Sequence, residues 1–337
     1  MQRFITNSTW DEEQMLTMAW NRISEVLSAP NGMLALDSSE MPKKGKESVG
    51  VARQYCGNSG KIDNCQSGVF LAYVSAKGFG LVHRRLFLPE QWFSDAYQER
   101  RRRCDIPEDS TFQPKTEIGI DLLRQVLSSG QFLTRWVGMD SWFGRSRAVR
   151  EAVASEGLYY FADVPKSYQV WTERPAMKVP PYRGQGRPPT KAIASVAPRT
   201  VADIALDPDT AWEPVIFGEG SKGPIYGEVA CLRVIDCHEG RPQEECWLIL
   251  RRLQKEIKYA ICNAPPDCAQ EELFEASQMR WPIEQLFQGG KEEIGMDHYE
   301  IRTWRAWHRH MTYIIIALQF LLEVQLTFQK KGALVRS

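Results

Sequence analysis

Apolar residues recur along the chain with two different periods, one typical of helices and one typical of strands. Near the start, the spacing of the apolar side chains predicts a helix over 10–27, with Met15, Met18, Ala19, Ile23 and Val26 on one face. Apolar runs at 33–36, 68–75 and 80–88 then predict three strands. Because short turns join these runs, the pattern favours an antiparallel meander.

The following segments alternate between helix and strand. A helix is predicted over 117–127, a strand over 132–139, a helix over 144–154 and a strand over 159–164. This order predicts an α/β fold with a mixed sheet flanked by helices. The run 33–36 leads into Asp37 and the run 132–139 into Asp140. Both acids are therefore expected at strand ends, where they would meet at one edge of the sheet.

The middle of the chain differs from the rest in amino-acid composition. Residues 165–209 are rich in proline and glycine and are expected to be loop-rich. Strand-like runs follow at 227–236, 246–253 and 257–263, and helices are predicted over 266–293 and 304–329. The predicted organisation has an N-terminal helical segment, a first part of the core, a β-rich insertion and C-terminal core helices. The corresponding residues are 1–32, 33–164, 165–268 and 269–337.

Charge and cysteine content narrow the class of protein. Among 337 residues, Lys+Arg and Asp+Glu each total 42, so the formal net charge is zero. This argues against coating nucleic acid through bulk charge but allows local basic patches. Eight cysteines without an apparent signal peptide predict reduced thiols and a cytoplasmic protein. The apolar stretch 311–326 contains Glu323 and falls short of a span of roughly 20 apolar residues, so a buried helix and no membrane are expected.

Three acids are candidates for the chemistry: Asp37, Asp140 and Glu284. Pro282 suits the first position of a helix, which would place Glu284 in the opening turn. Converging carboxylates repel one another unless a cation compensates them, and hard oxygen ligands favour Mg²⁺ or Mn²⁺. Two such ions about 4 Å apart can activate a water or a 3′-hydroxyl at a phosphodiester. The alternative is that each aspartate serves only as a turn or helix cap.

The sequence around these acids resembles a known family. Arg280, Glu284 and Lys291 have the spacing of the YREK signature of insertion-sequence DDE transposases, with Ser277 in the tyrosine position. The segments that surround Asp37 and Asp140, and the segment after Glu284, are similar to further blocks of that family. These are residues 36–46, 138–144 and 295–310.

The resemblance implies an RNase H-like fold with a β-rich insertion before Glu284. It implies metal-dependent phosphodiester hydrolysis and strand transfer, with Asp37, Asp140 and Glu284 holding two Mg²⁺ or Mn²⁺ ions. The implied partner is double-stranded DNA, as element terminal inverted repeats and target DNA, and a homodimer in the DNA complex is compatible with it. Arg280 and Lys291 would contact the DNA backbone. Two alternatives stay open, a truncated or inactive DNA-binding relic and a metal-dependent phosphohydrolase.

Further DNA contacts are predicted from basic and aromatic residues. Lys43, Lys44 and Lys46 follow Asp37 closely, and Arg187 lies in a Gly-Arg-Pro sequence of the kind that enters a minor groove. The arginine run 100–103 is either a phosphate-contacting patch or a solvated helix end. Trp171 and Trp212 are expected to pack in the core, while the resemblance offers base stacking as the alternative. His298, His308 and His310 are expected on a helix surface or facing DNA. The cluster Cys231, Cys237, His238 and Cys246 lacks the short paired spacing of structural zinc sites and lies on predicted strands.

Overall fold

The computed structural model describes residues 2–334 except 58, 183, 185, 186, 188, 221 and 222. The described α-helices are α1 Gln2–Asn7, α2 Glu12–Leu27, α3 Gln98–Arg103, α4 Lys115–Ser128, α5 Ser141–Gly144, α6 Arg147–Ser155, α7 Val201–Ala205, α8 Gln270–Met279, α9 Pro282–Glu292 and α10 Trp304–Leu334. The described strands are β1 Gly32–Pro42, β2 Ala52–Cys56, β3 Lys61–Ser75, β4 Gly78–Phe87, β5 Thr134–Met139, β6 Tyr159–Val164, β7 Gln169–Trp171, β8 Met177–Lys178, β9 Ile193–Ala194, β10 Arg199–Thr200, β11 Glu213–Gly220, β12 Gly223–His238, β13 Arg241–Leu253 and β14 Glu256–Cys262.

The chain divides into two compact units. The first comprises Met1–Gly138, Glu151–Val153 and Met279–Ser337, and the second comprises Met139–Arg150 and Ala154–Gln278. The second unit therefore begins upstream of the insertion expected at 165, and the four-segment division stays a prediction.

The sheet of the first unit is centred on β3, which pairs antiparallel with β1, β2 and β4, while β5 lies beside β1. Residues 69–74 of β3 are buried because strands flank them on both edges and helices pack on the sheet. The antiparallel arrangement of β1, β3 and β4 confirms the predicted meander. The sequence pattern missed β2, a short strand that pairs only with the first residues of β3.

The helix predicted over 10–27 forms as α2, and Asp11 caps it by accepting hydrogen bonds from the Glu13 and Gln14 amides. Its buried face is rotated from the predicted one. Leu16 and Trp20 are buried, whereas Met18 is exposed. Apolar residues occur on both sides of this helix, and the side that carries Leu16 and Trp20 packs against the sheet and α10.

The second unit contains an antiparallel sheet in the order β6, β14, β13, β12, β7 and β10, with β11 paired to β12. Strands β8 and β9 form a separate pair. The loop-rich stretch 165–209 holds only short elements, as expected. The pattern missed β11, Glu213–Gly220, because its apolar run covers only residues 215–217, between a proline and a glycine.

Two predicted helices differ from the observed ones. The segment 266–293 forms two helices, α8 and α9, because Pro282 lacks an amide hydrogen and disfavours helix in the preceding residue. The C-terminal helix is only partly buried. Thr312 and Ile315 lie in the core, whereas Phe320 and Phe328 are exposed. Residues Trp304–Phe328 are long and apolar enough to cross a membrane by length and composition, which a core helix can also satisfy.

Candidate active site

A cleft of about 590 Å³ in the first unit is lined by residues of β1, the turn after β2, α9 and the loop after α9. Its charged residues are five acids and one lysine, namely Asp37, Glu40, Glu284, Glu292, Asp297 and Lys291. Two predicted catalytic acids thus face one cavity, which has an excess of negative charge. Such a cavity favours cations over free anions.

Asp37 reaches the cleft from the middle of β1, not from its end. β1 continues to Pro42 because β3 is long enough to pair with it as far as Cys65. The predicted strand end at Asp37 is therefore wrong: the polar residues after Asp37 hid the strand, and long-range pairing maintains it. The Asp37 side chain is only 13% exposed, and its Oδ1 accepts a hydrogen bond from the Ser38 amide at 2.7 Å.

Glu284 lies in the first turn of α9, with Pro282 at the start of the helix as predicted. A carboxylate here is favoured by the positive end of the helix dipole. Its side chain is 46% exposed, so it remains open to the cleft and to solvent.

A single guanidinium lies between these two acids. Arg280 Nη2 donates a hydrogen bond to Glu284 Oε1 at 2.6 Å, and Arg280 Nη1 lies 3.6 Å from Asp37 Oδ2. The Arg280 side chain is 9% exposed. Gly138 allows this arrangement, because a Cβ there would lie 3.3 Å from the Arg280 Cβ and 2.6 Å from the Met33 Sδ. The glycine two residues before Asp140 thus has a packing role that the sequence alone did not indicate.

Arg280 is therefore engaged with two carboxylates rather than presented at the surface. Its geometry suits positioning of Asp37 and Glu284, and its predicted contact with the DNA backbone stays a prediction.

Glu40 is a further acid of the cleft and forms an ion pair with a lysine. Glu40 accepts hydrogen bonds from Lys115 Nζ at 3.2 Å and Ser67 Oγ at 2.9 Å. Burial acts to raise the pKa of Glu40, but Lys115 and these hydrogen bonds outweigh it, and the pKa lies below its usual value. Burial lowers the pKa of Lys291, while Glu40 and Asp297 act in the opposite direction. Lys291 thus faces the same cleft as Glu284, as their spacing on one helix predicts.

Sequence reasoning missed Glu40 and Lys115. Glu40 lies three residues beyond Asp37, and alternation along a strand would place the two on opposite faces. Lys115 begins a helix far from Glu40 in sequence, so only the fold joins them.

Asp140, in the second unit, directly follows β5, as predicted, and caps α5. Its Oδ1 accepts hydrogen bonds from the Trp142 amide at 3.1 Å and the Phe143 amide at 3.0 Å. The capping alternative is thus correct locally. It is compatible with catalysis, because a cap holds the carboxylate in a fixed direction. The convergence of Asp140 with Asp37 and Glu284 stays a prediction.

Arg150 holds the other end of α5. Its Nη1 donates to the Gly144 carbonyl at 2.6 Å, and its Nη2 donates to Asp236 Oδ2 at 2.9 Å. Asp236 also accepts a hydrogen bond from the Tyr168 hydroxyl at 2.6 Å. This network joins α5, the helix that Asp140 caps, to strand β12.

The sequence profile of the DDE superfamily endonucleases matches residues 1–224 of this chain. The match covers about two thirds of the chain and includes Asp37 and Asp140. The chain belongs to the DDE superfamily endonucleases. Glu284, Arg280 and Lys291 lie beyond the matched residues, so their assignment rests on the sequence motif and on the geometry of the cleft.

A relative of this chain is described as a probable transposase for insertion sequence element IS701, from Microchaete diplosiphon. The two sequences are 31% identical over 146 residues, which is 43% of this chain and 35% of the relative. The match therefore spans about a third of the relative's length.

The basic residues that are predicted to contact DNA differ in their surroundings. Lys43 Nζ donates to the carbonyls of Asp297 and Tyr299 and so ties down the loop after α9, and burial lowers its pKa. Lys44 and Lys46 are exposed, as DNA contact requires. Arg187 is also exposed, but the flanking 186 and 188 lie outside the described residues. These contacts stay predictions.

The two mid-chain tryptophans have structural partners in the second unit. Trp171 is 4% exposed, and its Nε1 donates to the Val196 carbonyl at 2.9 Å. Trp212 is half-buried under Arg252, whose Cζ lies 3.8 Å from the ring centroid. Trp171 therefore packs in the core, as one of the two interpretations expected. The ring of Trp212 is stacked against the guanidinium of Arg252.

The arginine run in α3 also has local partners. Arg100 and Arg103 pair with Glu47 at 3.4 and 3.3 Å, and Arg100 lies over the Tyr97 ring. These contacts favour the structural alternative for Arg100, while Arg102 and Arg103 stay exposed.

The secondary structure around the predicted cysteine cluster and the burial of His308 describe the remaining two features. The cysteines at 231, 237 and 246 are free thiols on β12 and β13. His308 is buried rather than on the helix surface as expected, and its Nδ1 lies 3.0 Å from the Trp304 carbonyl. The side of α10 that carries His308 faces the core, and the basic residues around it in the sequence do not indicate this.

Proposed function

We propose that this chain is the catalytic core of a DDE transposase with an RNase H-like fold, acting in the cytoplasm. It hydrolyses phosphodiester bonds and transfers strands at the ends of an insertion sequence. The observation that carries the proposal is the joint contact of Asp37 and Glu284 with Arg280 in an acidic cleft. Acids distant in sequence are thereby brought together in a protein of the DDE superfamily. The similarity to a probable transposase for insertion sequence element IS701 supports the same activity.

The donor chemistry of the cleft fits a divalent cation. Asp37 and Glu284 supply hard carboxylate oxygens, and the contact of both with the guanidinium of Arg280 supports a preference of the pair for positive charge. As they stand, no three His, Cys, Asp or Glu side chains among the described residues are arranged around one point. Arg280 lies where the two carboxylates approach each other.

We assign the binding of Mg²⁺ or Mn²⁺, as two ions, to Asp37, Glu284 and Asp140. Such ions, when bound, would activate a water or 3′-hydroxyl and stabilise the leaving oxygen. Asp140 would contribute a carboxylate whose direction its cap fixes. Lys291 would bind a phosphate oxygen beside Glu284. Arg280 holds Asp37 and Glu284 in place when no metal is bound, and bound ions would take over that role.

The proposed substrate is double-stranded DNA, namely the terminal inverted repeats of the element and a target duplex, and the complex could contain a homodimer. The exposed Lys44, Lys46 and Arg187 are proposed contacts to the duplex outside the cleft.

Three substitutions at Asp140 separate its structural role from its chemical role. Asparagine and serine are good helix caps, so Asp140→Asn and Asp140→Ser should fold as the wild type does, whereas Asp140→Ala should lose about 0.5–2 kcal/mol of stability. All three should lose cleavage of an end-labelled duplex that carries the terminal inverted repeat of the element, which is identified by sequencing the DNA on both sides of the gene. The assay is run with Mg²⁺, with Mn²⁺ and with chelator.

Cleavage by Asp140→Asn at the wild-type rate would refute the assigned role of Asp140. A wild-type protein that binds the duplex but leaves it intact under every metal condition would support the inactive relic instead.

A further inference from the structure

The hairpin formed by β2 and the start of β3 leaves two large apolar side chains in solvent. Tyr55 is 65% exposed and Ile62 is 62% exposed, and they lie opposite each other in the register of the two strands. The next pair on the same face is Arg53 and Asn64, whereas Cys65 on the other face is buried. One face of the hairpin thus packs on the protein, and the other is open. We call the open face, Arg53, Tyr55, Ile62 and Asn64, the ribbon face.

The ribbon face lies on the side of the sheet that carries Asp37. Residues of a strand alternate between the two faces, so Ile62 and Phe70 of β3 share a face, and Phe70 is paired with Asp37 of β1. Ile62 precedes Phe70 by eight residues, which span at most about 29 Å. The turn after β2 also lines the cleft, at Gly57. A duplex bound at the cleft would therefore pass the hairpin within about one helical turn of 34 Å.

A loop with two exposed lysines is held against the hairpin. Asn64 Nδ2 donates a hydrogen bond to the Gly45 carbonyl at 2.9 Å, and the Asn64 carbonyl accepts one from the Lys43 amide at 2.8 Å. These bonds fix the loop after β1 beside the ribbon face. Lys44 and Lys46 of this loop are exposed, so they add positive charge next to the Tyr–Ile pair.

The charges of the hairpin itself are distributed unevenly over its two faces. The single acid within 52–65 is Asp63, which lies 4.0 Å from Lys61, and alternation places both on the face opposite the ribbon face. The exposed Arg53 lies on the ribbon face, and none of the four residues of that face is acidic. The ribbon face and the neighbouring loop thus combine an apolar pair with three exposed cations.

A comparable pair in the second unit has different surroundings. Ile216 and Tyr226 lie opposite each other on the hairpin of β11 and β12 and are 52% and 70% exposed. The sequence 213–229 around them contains three acids and one lysine. An exposed Tyr–Ile pair therefore occurs in both units, but only the pair on the ribbon face is accompanied by an excess of positive charge.

We infer that the ribbon face binds in the major groove of double-stranded DNA beside the cleft. This inference rests on the proposed function, which supplies the duplex. The major groove admits a two-stranded β-ribbon, and thymine methyl groups there give Tyr55 and Ile62 an apolar surface to cover. Arg53 and the two lysines of the loop bind the flanking phosphates. A second copy of this chain fits less well, because a two-fold interface would place the same cations against each other.

The test measures binding to a duplex of about 30 base pairs, or three helical turns, over a salt series with Ca²⁺ in place of Mg²⁺. The double variant Tyr55→Ser with Ile62→Ser should bind about 10-fold more weakly, since large apolar side chains are no longer covered. Its salt slope should equal that of the wild type, because no cation is removed. Arg53→Gln should weaken binding and lower the slope by about one. Tyr55→Phe with Ile62→Val should retain most of the affinity.

The matched control is Tyr226→Ser with Ile216→Ser, which removes the same two residue types from the second unit and should bind like the wild type. A photo-crosslink locates the contact. p-Benzoyl-phenylalanine in place of Tyr55 should react with the element-end duplex within about 10 base pairs of the cut bond.

The inference is overturned if the double variant at Tyr55 and Ile62 and the Arg53→Gln variant both bind the duplex like the wild type. It is also overturned if the double variant loses self-association while DNA binding is unchanged, which would assign the ribbon face to a protein partner. A wild type that binds but never cleaves the element-end duplex, with binding weakened in the hairpin variants, would count against the proposed function alone. Cleavage by the wild type, with unchanged binding in the hairpin variants, would count against this inference alone.

Discussion

The contact of Arg280 with two acids makes a testable prediction about stability. In Arg280→Met the side-chain length is kept and the charge is lost, so Asp37 and Glu284 lose the guanidinium that contacts both of them. The lost hydrogen bond to Glu284, at 2.6 Å, belongs to the charge-assisted class, which contributes about 1.5–3 kcal/mol. Because Glu284 is nearly half exposed, screening reduces this contribution to roughly 1 kcal/mol. The buried Asp37 carboxylate, left without the guanidinium, costs about 1–2 kcal/mol more.

We therefore expect Arg280→Met to be less stable than the wild type by about 2–3 kcal/mol in chelator, measured by urea unfolding. Added Mg²⁺ should restore stability in the variant, because a cation can then take the place of the guanidinium. A ligand at 100 times its dissociation constant adds about 2.7 kcal/mol. The wild type should gain less, since Arg280 competes with the ion.

Arg84→Met is the matched control. Arg84 is a buried arginine of the same unit whose partner, Glu13 at 3.1 Å, is likewise largely exposed. This variant should be destabilised without recovery in Mg²⁺. The reasoning would be refuted by equal Mg²⁺ shifts in Arg280→Met and the wild type, or by full stability of Arg280→Met in chelator.

Two further predictions concern DNA binding and pH. Lys291→Ala should weaken binding to DNA of any sequence and flatten its salt dependence by roughly one counterion, measured by titration over a salt series, and an unchanged slope would contradict the phosphate contact. Burial lowers the pKa of both His83 and His308 to about 3, so both stay neutral in the folded protein when unfolded histidines, with pKa about 6.5, take up protons. The free energy of unfolding should therefore fall as the pH drops from about 6.5 toward 3, by up to about 1.4 kcal/mol per pH unit for each histidine. Urea unfolding at pH 7, 6 and 5 measures the change of the unfolding free energy with pH. His83→Gln should reduce the number of protons taken up on unfolding by about one. An unchanged slope in this variant would exclude His83 as a source of the pH dependence.

Local sequence determined much of the architecture. The meander, the helix from Glu12, the strand before Asp140 and the helix start at Pro282 all follow from apolar periods and from residues that cap or begin helices. These signals act over a few residues, so they can be recognised without the fold. The motif around Glu284 is local in the same sense, because two turns of one helix place Lys291 on the side of Glu284.

Tertiary structure decided what these local signals could not. Pairing with β3 carries β1 through the polar residues after Asp37, and Lys115 neutralises Glu40 across a long sequence separation. Arg280 can lie buried between two acids because Gly138 leaves room for the first carbons of the arginine side chain. Trp142 and Trp281 look in sequence like other tryptophans, and only the fold leaves them exposed. Burial, ion pairing and register depend on residues distant in sequence, whereas helix caps and apolar periods depend on neighbours.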